Sequence, residues 1–206
     1  DANLKGCDFS SADFTGADLA DLYDLTGLAL PRTPPYHITG LLVRAGAAYR
    51  FSGLDGVVGG SDIQGDLAVD AAGKNPALSG NLASQVLDFK DLGALFGGGR
   101  SASQAGTYLL PDVALHTERL RQMDAQVDYR AETIRSRGFP LRGLRTHIGL
   151  AGGVLALDPL TFDFTAGKLG GSLKIDARGE VPVTSIDARV TGLPIERFMT
   201  GAEKPL

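Results

Sequence analysis

The chain has 206 residues, 43% of them hydrophobic and 21% charged, with 28 glycines, 10 prolines, one cysteine, three histidines and a net charge of −4. One cysteine excludes an internal disulfide framework, and three scattered histidines are too few for a zinc site of the Cys/His type. The glycine content with ordinary charge argues for a turn-rich folded protein, against disorder and coiled coils, and the negative charge does not suit nucleic acid as a partner. No apolar run approaches the roughly 20 residues of a membrane-spanning helix. The chain begins at Asp1 and reads as an excised segment of a longer protein.

In chain order, the first regularity is a repeat of five. Ala2-Asn3-Leu4, Cys7-Asp8-Phe9, Ala12-Asp13-Phe14 and Ala17-Asp18-Leu19 each set a small residue, an amide or acid, and a large apolar residue in sequence. This resembles the pentapeptide repeat, which implies a square right-handed β-helix over residues 2–22. The pattern makes about one coil, fewer than the three or so units that a repeat fold needs for a core.

From Tyr36 onward apolar and polar residues alternate with period two, the pattern of strands with one wet face. Strands are expected near 36–44, 47–52, 54–60, 62–70 and 76–84. Asp88 is placed to cap a short helix through Leu95, ended by Gly97-Gly98-Gly99. A linker rich in Gly, Ser and Ala follows at 97–111, dividing a first β segment at 1–96 from a second at 112–206. In the second, Met123, Ala125, Val127 and Tyr129 alternate with polar residues, as do Phe162 and Phe164, Leu173 and Ile175, and Ile186, Ala188 and Val190. Turns are expected at Gly152-Gly153, Asp158-Pro159, Gly170-Gly171 and Glu180 to Pro182, and Pro194 opens a last short helix through Met199. The fold class is mainly β: a strongly curved antiparallel sheet with a few short helices, with both options open for the second segment, a sheet of its own or a continuation of the first.

Several blocks carry a resemblance when taken in order. They are Gly27 to Tyr36 with Pro34-Pro35, Gly56 to Leu67 with Ser61-Asp62, and Pro76 to Leu92 with Ser84 and Leu87-Asp88. Gly153 to Phe162 and Ala166 to Leu173 complete the set. Together they resemble the AsmA family of Gram-negative envelope proteins over residues 16–199, with Gly60 where that family usually has aspartate and Lys168 in place of a glycine.

The resemblance implies the periplasmic part of a protein held in the inner membrane by an anchor outside this chain, supporting outer-membrane biogenesis. It implies phospholipids as partners, with envelope proteins as further ones, and no cofactor, metal or enzymatic activity. A sheet with one apolar face offers a mechanism: a groove that keeps acyl chains out of water, at about 0.8 kcal/mol per buried methylene. Candidate lining residues are Leu67, Val69, Phe162, Phe164, Leu173 and Ile175. Two ordinary readings compete. An apolar strand face commonly forms a closed core, and the arginines at 130, 135, 137, 142 and 145 suit a solvated face that discourages edge pairing better than they suit lipid phosphate.

Other motifs point to structure. Ser61-Asp62 lacks a nucleophile elbow and a placed base, and Phe96 to Arg100 lacks the Lys-Ser/Thr of a phosphate-binding loop. His37, His116 and His147 stand singly, and Asp124 and Asp128 share the wet face of one strand. The competing functional class is a β-rich structural or protein-binding module without lipid, recruiting partners through its quintets or a sheet edge.

Overall fold

The computed structural model describes residues 8–23, 30, 32–91, 119–136, 141–164 and 167–192, and places most of them in one ten-stranded sheet. The strands are β1 (Asp8–Gly16), β2 (Tyr36–Ala45), β3 (Ala48–Val58), β4 (Ser61–Asp70), β5 (Ala77–Asp88), β6 (Asp124–Arg135), β7 (Leu141–Ala151), β8 (Val154–Phe164), β9 (Gly167–Asp176) and β10 (Val183–Thr191). Their spatial order is their chain order, and the sheet is not closed into a barrel. Every neighbouring pair is antiparallel except β5 and β6, which run parallel from Ala77↔Asp124 to Asp88↔Arg135. Two meanders thus join as one surface. A parallel neighbour requires a return connection of a dozen or more residues, so a hairpin is excluded at this junction, and the proposed linker at 97–111 lies within that interval, outside the described residues.

Alternation explains the elements. In β6, Ala125, Val127, Ala131 and Ile134 are buried while Gln126, Asp128, Arg130 and Glu132 are exposed. The step of three from Ala131 to Ile134 is matched in β5 by Ser84 to Leu87, so the paired strands stay in phase.

Three local expectations change. The strands expected at 47–52 and 54–60 are a single strand, β3, and Gly53 between them is a bulge and not a turn. At φ 60° it lies where the β2–β3 and β3–β4 registers both shift, and its N–H donates to Asp66 Oδ1 at 2.9 Å. Asp158-Pro159 falls inside β8, at the register shift between Leu157 and Leu160, where a proline removes no ladder bond. Gly170-Gly171 lies inside β9, facing Thr161 and Leu160 across the ladder.

A fourth change concerns the amino terminus. Asp8–Gly16 is an antiparallel strand paired with β2, from Asp8↔Val43 to Gly16↔Tyr36, whereas successive coils of a β-helix stack in parallel. The quintet suits either arrangement. Its small and large positions, such as Ala12 and Phe14, are two residues apart and share a strand face, with Asp13 exposed between them. A 3-10 turn (Leu19–Leu22) follows, fixed by Asp18 Oδ1, which accepts from the Ala20 and Thr33 N–H groups at 2.9 Å each. Residues 89–91 are helical, with Asp88 Oδ1 accepting from Lys90 N–H at 3.0 Å, and the remainder of the helix expected through Leu95 lies outside the described residues, as does that at 194–199.

Close backbone approach between β4 and β5 rests on Gly65. A Cβ there would sit 2.0 Å from the Asn81 carbonyl oxygen, whereas a Cβ at Gly170 would meet nothing within 4 Å. Gly65→Ala is therefore expected to destabilise by about 2–4 kcal/mol and Gly170→Ala by no more than about 0.5 kcal/mol. Urea unfolding of the two variants checks this, and equal midpoints would contradict it.

Candidate functional site: the apolar face of the sheet

Ladder partners lie side by side on one face, so the register can be followed across the sheet. From β2 to β10 one row reads Leu42, Phe51, Leu67, Gly80, Val127, Ile148, Leu157, Leu173 and Ile186. A neighbouring row reads Tyr49, Val69, Leu78, Ala125, Leu150, Leu155 and Ile175. From β3 onward neither row contains a charged side chain; on β2 the second row begins with Arg44, which faces Tyr49 and lies over its ring at 5.0 Å. With eight spacings of about 4.8 Å, the first spans roughly 38 Å along the sheet.

Packing along this face is uneven. Val69, Met123, Ala125 and Leu150 form one buried cluster. Leu87, Ala131, Ile134, Leu141 and Leu144 form a second, with Phe162 and Phe164 packed against it. Tyr36, Ile38 and Leu54 form a third, joined by Phe14, Phe51, Leu67 and Leu82. Between the first two runs a strip across β7–β9 that is only half-buried: Ile148, Leu157, Leu160, Leu169 and Leu173. Among the described residues no second sheet lies over it, and no large side chain is less than 2% exposed.

All six candidate lining residues fall on this face, but in different surroundings. Leu67, Phe162, Phe164 and Leu173 are half-buried, whereas Val69 and Ile175 are 9% and 4% exposed, covered by neighbouring side chains. The register adds Ile148 and Leu157, which the sequence reading left out. Ile148 was legible, since Leu144, Thr146, Ile148 and Leu150 alternate with Arg145, His147 and Gly149, but Val154 to Leu157 is a continuous apolar run whose sequence does not show which residues share the face.

The motif residues beside the site hold the sheet together. The Asp62 carboxylate accepts from the consecutive N–H groups of Gln85 (2.8 Å) and Val86 (2.6 Å), where β5 takes its step of three. Ser84 Oγ donates to the Asp62 carbonyl at 2.5 Å and lies 2.9 Å from the Tyr129 hydroxyl. Ser61 Oγ donates to Asp91 Oδ2 at 2.6 Å and accepts from Asp88 N–H at 2.9 Å. Ser61-Asp62 and the block around Ser84 thus form one clamp. Lys168 lies opposite Asp163 and pairs with it at 3.7 Å, so this departure from the resembled pattern has a partner.

On the other face His147 Nδ1 is 2.7 Å from Asp128 Oδ1, and Nε2 is 2.9 Å from Gln126 Oε1. His37 Nδ1 lies 2.8 Å from Thr15 Oγ1. Asp124 Oδ1 accepts from Gly152 N–H at 3.1 Å. His116 lies outside the described residues.

A family model described as AsmA family matches residues 15–205, and one described as pentapeptide repeats (8 copies) matches residues 1–22. AsmA family protein YhjG of Escherichia coli (strain K12) is 30% identical over 213 aligned positions, which cover 92% of this chain and 31% of that protein. The chain thus spans about a third of the length of this curated relative. No solved structure is significantly similar.

Burial raises the Tyr129 hydroxyl above the usual tyrosine value, and the Asp62 charge adds to this while the Ser84 hydrogen bond opposes it. Burial also raises Tyr36, with Asp21 and Asp18 contributing. Above pH 10 the unfolded chain therefore loses these protons first, so stability falls as pH rises through the folded values. Alkaline titration of tyrosinate absorbance should show a late phase, part of which Tyr129→Phe removes. A titration unchanged by Tyr129→Phe would contradict the assignment.

Proposed function

The chain belongs to the AsmA family, and on that premise we propose that its apolar sheet face holds phospholipid acyl chains and so supports outer-membrane biogenesis from the periplasmic side of an inner-membrane-anchored protein. The observation that carries this reading is the half-buried strip of Ile148, Leu157, Leu160, Leu169 and Leu173 between two buried clusters. A face of this size and polarity is costly in water, and sliding acyl chains along it exchanges like contacts for like. Leu67, Phe162, Phe164 and Leu173 touch the chains in this reading, while Val69 and Ile175 support the floor beneath them. The role is one of binding and passage and not of catalysis, consistent with a Ser61-Asp62 pair whose hydrogen bonds are spent on the clamp.

A second reading is favoured by β10. All nine of its residues are exposed, with Val183 at 62%, Ile186 at 57% and Val190 at 47%, and it is the outermost strand of the sheet among the described residues. A free edge of this kind accepts a strand from another protein, which would make the chain a protein-binding module without lipid.

Photo-crosslinking in cells from the full-length protein separates the two. Phospholipid adducts are expected from probes at Phe164 and Leu173 and none from Asp163 and Lys174 on the opposite face. Protein adducts alone, or lipid adducts equally at all four, would contradict the lipid reading.

A further inference from the structure

The polar face contains a feature that neither the groove nor the clamp uses. Arg130 of β6 and Arg145 of β7 are ladder partners, so two like charges stand directly opposite each other. Such a placement is unfavourable unless something neutralises it. Both side chains are exposed, and neither guanidinium makes an ion pair or hydrogen bond among the described residues.

The surroundings leave the pair accessible. Their row continues to Ala83 on one side and to Thr161 and Gly170 on the other before reaching Arg189 on β10. Short side chains thus flank two long ones. Arg145 borders two shallow depressions, one of about 610 Å³ shared with Arg130, Gln64 and Ala83, the other of about 720 Å³ shared with Thr161, Gly170 and Arg189. The acids around them have other partners or lie in other rows: Asp128 is at His147, Asp163 at Lys168, Asp66 at the Gly53 N–H, and Asp187 faces Ser172. Asp158 stands at the β8 bulge. The step of three in β7 from Leu141 to Leu144 keeps Arg142 exposed as well, but Arg142 faces Asp163 across the β7–β8 ladder, so the unopposed charges are those of Arg130 and Arg145.

We propose that Arg130 and Arg145 form an anion site on the polar face of the sheet, taking the phosphate group of a phosphate-bearing ligand. Guanidinium forks match phosphate oxygens in bidentate geometry, and two arginines stand here at ladder-paired positions of adjacent strands and border one depression. A single carboxylate fills one fork, while the oxygens of a phosphate can serve both. The same chemistry is offered by an anionic phospholipid headgroup and by a free phosphate ester. The proposal stands apart from the acyl-chain reading, since it concerns the opposite face.

The test uses the full-length protein in two arms. In the first, inorganic phosphate and glycerol phosphate are titrated while guanidinium NMR resonances are followed. In the second, flotation is measured with vesicles of phosphatidylglycerol and of phosphatidylcholine. Saturable shifts at Arg130 and Arg145, weakened about tenfold by Arg145→Gln and unaffected by Lys174→Gln on the same face, would identify a site for free phosphate esters. Flotation with phosphatidylglycerol vesicles alone, lost in Arg130→Gln and Arg145→Gln but kept in Lys174→Gln, would identify the headgroup as the source. No saturable response in either arm, or equal weakening by Lys174→Gln, would overturn the proposal. The acyl-chain crosslinks at Phe164 and Leu173 should persist in Arg145→Gln, so failure of one reading is distinguishable from failure of the other.

Discussion

The structure depends on keeping apolar positions in phase across ten strands. A slip of one residue between any two strands would turn an entire apolar set toward water, and one open sheet has no second layer to correct the error. The phase is held by bulges at defined places. β3 inserts an extra residue relative to both neighbours between Phe51 and Leu54, and β8 does the same between Leu157 and Leu160. Steps of three recur in β5 (Ser84 to Leu87), β6 (Ala131 to Ile134) and β7 (Leu141 to Leu144), so both meanders change step more than once and stay in phase. Bulges also add local twist, and on the apolar face strand side chains cluster with residues of the connections, among them Leu22, Leu30, Phe89 and Leu120.

The AsmA motif blocks have a physical meaning within this frame. Asp62 takes two consecutive N–H groups of β5 where that strand changes step, and Ser84 ties the Asp62 backbone to Tyr129 on β6. The clamp therefore spans β4, β5 and β6, where the two meanders meet in parallel. Ser61, Asp88 and Asp91 close the adjacent turn. These polar residues maintain the register on which the apolar face rests, so their value to function is indirect.

Much of this was legible in the sequence because period-two alternation determines which residues share a face before any pairing is known. The six candidate lining residues lie on one face for that reason. What alternation cannot reveal is where it pauses. Gly53, Asp158-Pro159 and Gly170-Gly171 all read as turns, since glycine and proline serve bulges, kinks and turns through the same backbone freedom or missing donor. The parallel contact between β5 and β6 joins residues about 47 positions apart, such as Ala77 and Asp124, and nothing local specifies it. The quintets at 2–19 do match pentapeptide repeats, but residues 8–16 form an antiparallel strand where the resemblance implies a β-helix: a spacing of two between small and large residues fits both. Exposure was the least legible property, because the same alternation describes the buried Ile175 and the half-buried Leu173.

The central claim is that the strip across β7–β9 is covered by lipid and not by protein. The most direct measurement places a fluorophore at Leu157 of the purified full-length protein, with Lys174 as control, and adds phospholipid carrying a nitroxide on its acyl chain. Saturable quenching at Leu157 but not at Lys174, with simultaneous protection of Leu157 from a water-soluble quencher, is the result expected. A Leu157 probe shielded from both quenchers before and after lipid is added would mean that protein already closes the face, and would contradict the account.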